Sequence, residues 1–450
     1  MLKLFLWLRY LRKKKIVFLS IAAVALSVGL LIVVASLFTG FINVFEQSAV
    51  ETIGDVVLTP PIKFGKYPLF IERLERASAV EAATATLSAQ GLLYVSKGDV
   101  RRVSVLGIEP GRRVKVTAFK RSLLKQKESP GEPSFEVADY PESVGGFVGI
   151  GVLAEPDEKT DEYDFDAVEK MFGQRVVLTT GTVIEDSKQE GTEGARKFKR
   201  ELVPFRIADI IFTGVYYVDN TFICLPIDEV QTTLYPNEEG QIADQIQIKL
   251  IGDVDADVAI AEIRGIWQVF ATEQLGWGPY LIRETSVKTA KQMQSQYVAE
   301  LRKQMGVLLL IFGVVSFSVV VLVFCIFYMI VRLKQRDIAI VKSCGTGSGS
   351  VTLIFVGFGV CVGIIGSAIG AVLGYAVTKN INTIEEWIRV IFGLKLWKSS
   401  VYMFSKIPSE VDWSSAFAIV LFAVAAAAVG ALIPAIVAAR TRPVEILRYE

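Results

Sequence analysis

The stretch of the sequence that most resembles a chemical site is GTGSGS, at Gly345–Ser350. Glycine-rich runs of this kind can cradle phosphate groups. A phosphate loop of the GxxxxGK(S/T) type, however, also needs a lysine that reaches the phosphates, and it follows a strand. This run contains no lysine and leads directly into an apolar stretch. We therefore do not expect it to bind a nucleotide.

Histidine is absent from all 450 residues. Its absence excludes Ser-His and Cys-His nucleophile pairs, HExxH zinc sites and a histidine pH switch. The cysteines are Cys224, Cys325, Cys344 and Cys361, and no two of them form a CxxC pair. We expect them to be small buried hydrophobic residues rather than metal ligands. We predict no catalytic group, metal site or cofactor in this chain, which is not expected to be an enzyme.

Four stretches are long and apolar enough to cross a bilayer as helices. A helix needs about 20 apolar residues to span a hydrocarbon core of roughly 30 Å. The predicted spans are residues 16–45, 305–331, 351–378 and 413–439, and none contains a charged residue. An intramembrane ion relay is therefore not expected. The first stretch could instead be a cleaved signal peptide, but it is longer than a typical signal core.

The basic residues outside these spans share one side of the membrane if all four spans form. Six of them precede the first span, four lie in the loop 332–350, and three lie in the tail 440–450. Cytoplasmic loops carry an excess of lysine and arginine. We therefore predict a multi-pass protein with cytoplasmic termini. Residues 46–304 and 379–412 then lie on the opposite side.

The N-terminal residues 1–15, MLKLFLWLRYLRKKK, mix apolar and aromatic residues with basic ones. This pattern is typical of a short amphipathic helix that lies in the headgroup region and contacts membrane lipids. A frayed extension whose charge only orients the chain is the alternative.

Residues 46–304 have the composition of a water-soluble domain, with 30 basic and 40 acidic residues and a net charge of 30 − 40 = −10. This balance argues against a nucleic-acid partner. Short β-branched runs such as DVVLTP, QRVVLTTGTVI and DQIQIKLIG alternate with helical patterns such as LFIERLERASAVEAAT. The predicted fold class is an α-helical membrane protein with four transmembrane helices plus a large α+β extracytoplasmic domain between helices 1 and 2. This domain would hold one or two small sheets, with 111–170 and Glu185–Glu201 as charged surface elaborations.

The last part of this domain has the pattern of a helix that continues into the second span. From Thr285 to Lys303 the chain contains neither glycine nor proline. We predict one continuous stalk helix, which would transmit motion between the membrane part and the domain.

The third span carries a face of small residues, formed by Gly359, Gly363, Gly366, Gly370 and Gly374. Small residues at this spacing let another helix approach closely. The partner could be a helix of the same bundle or a helix of a second subunit, and the two are compatible.

Two motifs of the chain are especially distinctive, QRDIAIVKSCG at Gln335–Gly345 and RPVEILRYE at Arg442–Glu450. Further ones are VAELRKQMGVLLLI, VYMFSKIPSEV, VLGIEP and FTGVYYVDNTFICLPIDEVQTTL. With the order of one span, a large domain and three spans, they resemble the MacB/FtsX-like class of ABC transporter permeases. Within that class the chain is most similar to the lipoprotein-releasing (Lol-type) permeases, and the similarity covers nearly its whole length.

The resemblance implies a non-catalytic permease subunit of the bacterial inner membrane, with the large domain in the periplasm. It implies a separate cytoplasmic ABC ATPase subunit, which would bind ATP and magnesium, and a second permease copy or paralogue. Hydrolysis would move the stalk helices and outer domains, which is mechanotransmission rather than solute pumping. In the Lol branch the cargo is a lipoprotein, and a soluble periplasmic carrier receives it.

The resemblance also implies that the loop 332–350 is a coupling loop, which contacts the ATPase. A short helix over Lys334–Ser343 would place Ile338 and Val341 on one side, against a groove of the ATPase. Arg336, Asp337 and Lys342 would flank them as polar contacts. Gly345 would end the helix, since glycine adopts the left-handed conformation at low cost. The alternative is an ordinary connector whose charges only orient the chain.

The carrier-binding loop of the family would fall on Glu185–Glu201. The candidate docking residues there are Glu185, Lys188, Arg196, Lys197, Phe198 and Lys199. Two other functions occur in this class: MacB-like export of peptides or small molecules, and an FtsX-like signalling scaffold that activates cell-wall hydrolases. The scaffold usually has a much smaller outer domain than 46–304. We therefore favour lipoprotein release.

Overall fold

The computed structural model describes residues 15–96, 98–185, 196–236, 240–252, 254–393 and 395–440. The chain forms two compact units. The helical unit contains the chain up to Val44, Tyr297–Ile384 and the chain from Ile407 onward. The outer unit contains Phe45–Gln296 and Glu385–Lys406. The predicted amphipathic helix 1–15 and tail 440–450 lie outside the described residues, apart from Lys15 and Arg440.

The helices range from a single turn to 44 residues. In chain order they are α1 (Lys15–Ile53), α2 (Tyr67–Glu75), α3 (Pro110–Val116), α4 (Ile150–Leu153), α5 (Phe165–Glu169), α6 (Tyr216–Thr221), α7 (Ile227–Leu234), α8 (Ala256–Gln274), α9 (Pro279–Glu284), α10 (Ala290–Leu333), α11 (Gln335–Ser343), α12 (Ser348–Lys379), α13 (Ile381–Phe392), α14 (Ser399–Tyr402) and α15 (Trp413–Arg440).

The strands all lie in the outer unit. They are β1 (Val56–Thr59), β2 (Phe64–Gly65), β3 (Val80–Ser96), β4 (Asp99–Ile108), β5 (Gly145–Gly149), β6 (Arg175–Glu185), β7 (Arg196–Ile211), β8 (Phe222–Pro226), β9 (Ile242–Ala243), β10 (Gln245–Leu250) and β11 (Ser286–Thr289).

Four helices, α1, α10, α12 and α15, are long and apolar enough to cross a membrane among the residues described. Each contains one of the predicted spans. Within the helical unit they pack around Val24, Val28, Phe327 and Phe358, and the rings of the last two lie 5.4 Å apart. A polar contact joins Ser27 of α1 to Ser316 of α10, whose hydroxyl oxygens are 3.1 Å apart. The four-helix part of the predicted fold class is confirmed.

Helix α10 confirms the predicted continuous stalk, with a shifted start. The helix runs unbroken from Ala290 to Leu333. It begins at Ala290 rather than at Thr285, because Ser286–Thr289 forms β11 and pairs antiparallel with β1. Four residues of the expected helix are therefore an edge strand.

The outer unit is built on a nine-stranded sheet with the order β11-β1-β10-β3-β4-β8-β5-β7-β6. The long strand β3 pairs with β10 through its first half and with β6 through its second half. The six strands from β3 to β6 therefore close on themselves. Gly91 permits this closure, since a Cβ there would lie 2.6 Å from Leu178 Cδ1 and 2.8 Å from the Thr179 carbonyl oxygen. The α+β domain is confirmed, with one large sheet and a two-stranded one, β2-β9.

Aromatic side chains fill the core where α2 and α8 cover this sheet. Phe64, Phe70 and Phe270 surround Trp267, with ring centroids 5.1 Å to 6.0 Å from the indole. The indole nitrogen donates to Thr285 Oγ1 at 3.0 Å, so the one polar atom of this buried ring is paired.

Two expectations about this unit are wrong. The residues VEAAT at 80–84, assigned to a helix, begin β3, because pairing with β10 overrides the helical preference of alanine. Residues 111–170 are not only a surface elaboration, since β5 lies between β8 and β7 in the sheet and all five of its residues are buried.

Candidate functional site

The loop 332–350 contains a helix, α11, where the sequence predicts one. Lys334 stands at its N-terminus and forms an ion pair with Asp337 one turn later. The Gly345 amide donates to the Lys342 carbonyl at 3.0 Å, and Gly345 has a φ of +91°. Only glycine adopts this left-handed conformation without strain. Gly345 therefore ends the helix as expected.

One face of α11 packs against its own chain. Ile338 is 7% exposed and contacts a small apolar cluster with Val331, Val351 and Ala438. The neighbouring Ala339 is fully buried. The side chain of Ile338, which the sequence assigned to an ATPase groove, is thus already enclosed within this unit. Its contact with an ATPase stays a prediction.

Lys342 connects α11 to the end of α15. Its ammonium donates to the Ala439 carbonyl at 2.7 Å. The last carbonyls of a helix have no partner within the helix and carry partial negative charge, so a lysine there is favourable. Lys342 therefore positions two elements of the helical unit, whatever else it contacts.

The opposite face of α11 is exposed. Arg336 and Asp337 lie on it, and Ile340 has 49% of its surface accessible. Leu333, just before the helix, is 61% exposed. These positions follow the three- and four-residue spacing of one helical face. Ile340 is an exposed apolar residue that sequence reasoning missed, because burial of Ile338 or of Ile340 fits the same local pattern. The side chain of Val341 lies outside the described part of the chain.

The five glycines of the predicted small-residue face of α12 all face helices of the same chain. A Cβ on Gly359 would collide with Ala431 of α15, and one on Gly363 would lie 3.0 Å from Ala427 Cβ. The other three, Gly366, Gly370 and Gly374, face α1, and a Cβ on Gly370 would lie 2.6 Å from the Ala25 carbonyl oxygen. This small-residue face therefore packs within the four-helix bundle, and its contact with a second subunit stays a prediction.

The predicted carrier-docking residues lie at the end of a long hairpin. Strands β6 and β7 pair antiparallel over eleven positions, from Arg175 opposite Arg206 to Glu185 opposite Arg196. Lys197 and Phe198 follow in β7, opposite Ile184 and Val183, and Lys199 lies opposite Thr182. Lys188 falls in the segment 186–195, outside the described residues. Docking of a carrier on this hairpin stays a prediction.

The segment between α12 and α15 contacts the outer-unit loop that the sequence treated as an elaboration. Asp161 Oδ2 accepts hydrogen bonds from the amide and hydroxyl of Ser399, both at 2.7 Å, and lies 3.9 Å from Lys395 Nζ. Next to it, Glu162 pairs with Arg389 at 2.9 Å. No sequence signal identifies this contact, because the two segments are more than 200 residues apart.

A second contact of the same segment joins two of the motifs that carry the family resemblance, FTGVYYVDNTFICLPIDEVQTTL and VYMFSKIPSEV. The Tyr216 amide donates to the Met403 carbonyl at 2.8 Å, and the Ser405 amide donates to the Gly214 carbonyl at 3.2 Å. FTGVYYVD and VYMFSKIP therefore pair through their backbones. The chain between α12 and α15 is thus fastened to the sheet domain at two places.

Asp219 holds the turn that receives this second contact. Its carboxylate accepts from the amide and hydroxyl of Thr213, at 2.7 and 2.8 Å, and from the Gly214 amide at 2.9 Å. The side chain is almost fully buried, and burial raises the pKa of Asp219 to about 6 despite these three donors. The described residues contain no group of three or more acidic, cysteine or histidine side chains placed to hold a metal ion.

Comparison with known proteins agrees with this arrangement. Residues 309–443 match the family model "FtsX-like permease C-terminal". The transmembrane protein LolC of the Neisseria meningitidis lipoprotein-releasing system is 27% identical over 100% of this chain and 99% of its own length. LolE of Haemophilus influenzae is 24% identical over 95% of this chain and 93% of its own. The chain contains an FtsX-like permease domain and is homologous to LolC and LolE over nearly its whole length. The resemblance drawn from the motifs is confirmed.

Solved structures with a similar outer part include the periplasmic region of MacB from Actinobacillus actinomycetemcomitans. It is 12% identical, covers 55% of this chain and 94% of its own, and has a TM-score of 0.33. The extracellular domain of the transporter YknZ from Gram-positive bacteria covers 52% of this chain with a TM-score of 0.29. Scores this low carry no argument about the fold, whose description rests on the strand pairing itself.

Proposed function

We propose that this chain is the permease subunit of an ABC transporter that releases lipoproteins from the bacterial inner membrane. The observation that carries the proposal is its end-to-end similarity to LolC, which includes the outer domain as well as the helices. In this function the chain has no catalytic step of its own. A separate ATPase subunit on the cytoplasmic side binds ATP and magnesium, and a soluble periplasmic carrier takes up the released lipoprotein.

The exposed face of α11 is the proposed contact for that ATPase. Arg336 and Asp337 offer charges of both signs, and Ile340 offers an apolar anchor between them. An apolar residue enclosed by polar ones is the usual composition of an interface centre. The buried cluster around Ile338 and the bond from Lys342 to α15 support this assignment, since they join the contact helix to three span helices, α10, α12 and α15.

A second permease subunit is supported by the uneven packing of the span helices. In its most apolar part, α10 has 6% of its residues buried, against 44% in α1. Val307, Leu310, Val314 and Phe317 are each more than 60% exposed along it. Lipid can cover such a surface, and so can the matching helix of a second subunit. We propose that lipid and the matching helix of a second subunit both cover this surface, with α10 lining the space between the two permeases.

The orientation follows from the basic residues, and it belongs to the same proposal. Lysines and arginines favour the cytoplasmic side. The N-terminus, α11 and the C-terminus are then cytoplasmic, and the sheet domain is periplasmic. In that position the β6–β7 hairpin, with Glu185, Arg196, Lys197, Phe198 and Lys199, is available to a periplasmic carrier.

The test is depletion of this protein from its own bacterium, followed by complementation. Depletion is expected to leave lipoproteins in the inner membrane, measured by fractionation and immunoblotting. Wild-type chain should restore their release and co-purify with an ABC ATPase in mild detergent. Ile340→Asp should reach the membrane in normal amount, lose the ATPase on purification and fail to restore release.

The matched control is Ile340→Val, which keeps an apolar side chain and should behave as wild type. If depletion leaves lipoprotein sorting unchanged, the cargo is wrong. If Ile340→Asp retains the ATPase at wild-type stoichiometry, the exposed face of α11 is not its contact.

A further inference from the structure

The outer unit contains a partly open cavity of about 370 Å³ that the proposed transport cycle does not use. Its walls are mostly apolar and come from the sheet and from α6, among them Leu106, Ile211, Phe212, Val218 and Phe222. One side is formed by the end of α1, at Ser48–Ile53. A volume of this size lies at the lower end of the range for small-molecule sites, about 300–1,000 Å³.

The buried guanidinium of Arg113 also lines this cavity, and so does Arg121, which is exposed. Arg113 is 4% exposed. Its Nη1 donates to Gln247 Oε1 and its Nη2 to the Thr52 carbonyl, each at 3.2 Å. Its Nε is buried and has no hydrogen-bond partner among the described residues. A guanidinium has five N–H donors, so much of its capacity is unused.

No carboxylate of the described residues forms an ion pair with this cation. The acidic residue that lines the cavity, Glu51, is exposed and accepts from Gln47 at 2.9 Å instead. The Cys224 thiol also faces the cavity, but burial raises its pKa to about 11, so it stays neutral. The Thr52 carbonyl partly compensates the positive charge of Arg113. This carbonyl belongs to the C-terminal turn of α1, where helix carbonyls carry partial negative charge. The ring of Phe119, 5.4 Å from the guanidinium, adds a cation–π contact.

An unpaired buried cation is costly, and a protein interior normally supplies an anion for it. Here the space beside the cation is open and apolar. We propose that the cavity binds an anionic amphiphile, a medium-chain carboxylate, whose head pairs with Arg113 and whose chain lies against Leu106, Phe212 and Val218. The planar guanidinium fits a carboxylate in a two-bond pair. The volume is too small for a diacyl lipid.

This site is separate from the proposed ATPase and carrier contacts, since it lies within the outer unit and involves neither α11 nor the hairpin residues Glu185 and Arg196–Lys199. Its occupant would touch the last turn of α1 through the residues that line the cavity there. Binding would therefore add contacts between that turn and the sheet.

The test is equilibrium dialysis of labelled decanoate against the purified full-length chain in a nonionic detergent. Partition into micelles is the same for every variant and cancels in the comparison. Wild type is expected to bind one decanoate saturably. Arg113→Gln should lower the affinity at least tenfold, and decanol, which lacks the charge, should bind wild type as weakly as decanoate binds the variant.

The control is Arg112→Gln, a neighbouring arginine that pairs with Glu75 and Glu109 and does not line the cavity. It should bind decanoate as wild type does. Since Arg113→Gln could also disturb folding, Val218→Trp fills the apolar end and leaves Arg113 intact, and it should abolish binding with unchanged thermal unfolding. The proposal is overturned if wild type shows no saturable binding above Arg113→Gln, or if Val218→Trp binds normally.

Discussion

Among single residues, Asp219 is expected to make stability depend on pH. The pKa of this carboxylate is raised to about 6 in the folded chain, above the ordinary value of 3.8. Between about pH 4 and pH 6 the folded state therefore binds more protons than the unfolded state, so this group lowers the free energy of unfolding as the pH rises through that window. A shift of this size corresponds to about 3 kcal/mol.

The measurement is thermal unfolding of the full-length chain in detergent from pH 4 to pH 7, for wild type and Asp219→Asn. The variant should lack the fall in the free energy of unfolding that Asp219 causes as the pH rises. Its stability relative to wild type should therefore increase with pH. The exposed Asp166→Asn should keep the wild-type profile. Parallel profiles for wild type and Asp219→Asn would contradict the assignment.

Gly370 is expected to tolerate no side chain. A Cβ there would lie 2.6 Å from the Ala25 carbonyl oxygen and 2.8 Å from Val28 Cβ, so Gly370→Val must separate α12 from α1. Overpacking of this kind costs about 1–3 kcal/mol. Gly313→Val is the matched control, because it places the same branched residue in span helix α10 with nothing within 4 Å. Thermal unfolding in detergent should show a loss for Gly370→Val alone.

The sequence of α11 predicts the helix, but it does not predict which of Ile338 and Ile340 is buried. The motif QRDIAIVKSCG predicts a short helix and its glycine end, and both are present. Which isoleucine is buried depends on contacts with Val331 of α10, Val351 of α12 and Ala438 of α15. A nine-residue helix carries too few residues to fix that choice by periodicity alone.

Among elements, the segment between α12 and α15 depends on one buried ion pair. Asp161 and Lys395 have side chains only 7% and 11% exposed. Asp161→Asn can retain the hydrogen bonds to Ser399 but removes the charge, which leaves the lysine ammonium buried and unpaired. Breaking a buried pair in this way costs about 3–5 kcal/mol. We expect faster hydrogen exchange and earlier proteolysis in residues 395–405.

Glu162→Gln provides the control for this segment. It removes the neighbouring charge contact to Arg389, in which the glutamate is 64% exposed. Exposed pairs contribute about 0–1 kcal/mol, so exchange should change little. Equal exchange in the two variants would mean that the backbone pairing at Gly214 and Tyr216 suffices to hold the segment.

The conformation of strand β3 could not be predicted from its own residues alone. Its seventeen residues contain four alanines, and the first five residues, VEAAT, continue a stretch that has helical spacing in the sequence. Partners on both edges, β10 and β6 on one side and β4 on the other, decide its conformation. Runs rich in valine and isoleucine, such as β1, β6 and β10, were predicted correctly because their own preference agrees with the sheet. The span helices were predictable for a similar reason, since only a helix satisfies the backbone in lipid.

For the molecule as a whole, α10 is the element whose continuity matters most to the proposed function. The helix contributes residues to both units, Ala290–Gln296 to the outer unit and Tyr297–Leu333 to the helical unit. If lipoprotein release needs motion of the span helices to reach the outer domain, an unbroken helix is the simplest transmitter. A break between the two parts should separate ATP hydrolysis from release.

Gln304→Pro breaks α10 at an exposed position within its helical-unit part, a few residues after the unit boundary and just before the predicted span 305–331. Proline inside a helix removes one backbone hydrogen bond, clashes with the carbonyl four residues earlier and costs about 3 kcal/mol or more. In membranes that contain the assembled transporter, we expect ATP hydrolysis to continue while lipoprotein release to a soluble carrier falls to background. Gln304→Ala keeps the helix and should retain both activities. Release at the wild-type rate by Gln304→Pro would show that force reaches the outer domain by another route, such as α1 or the segment held by Asp161.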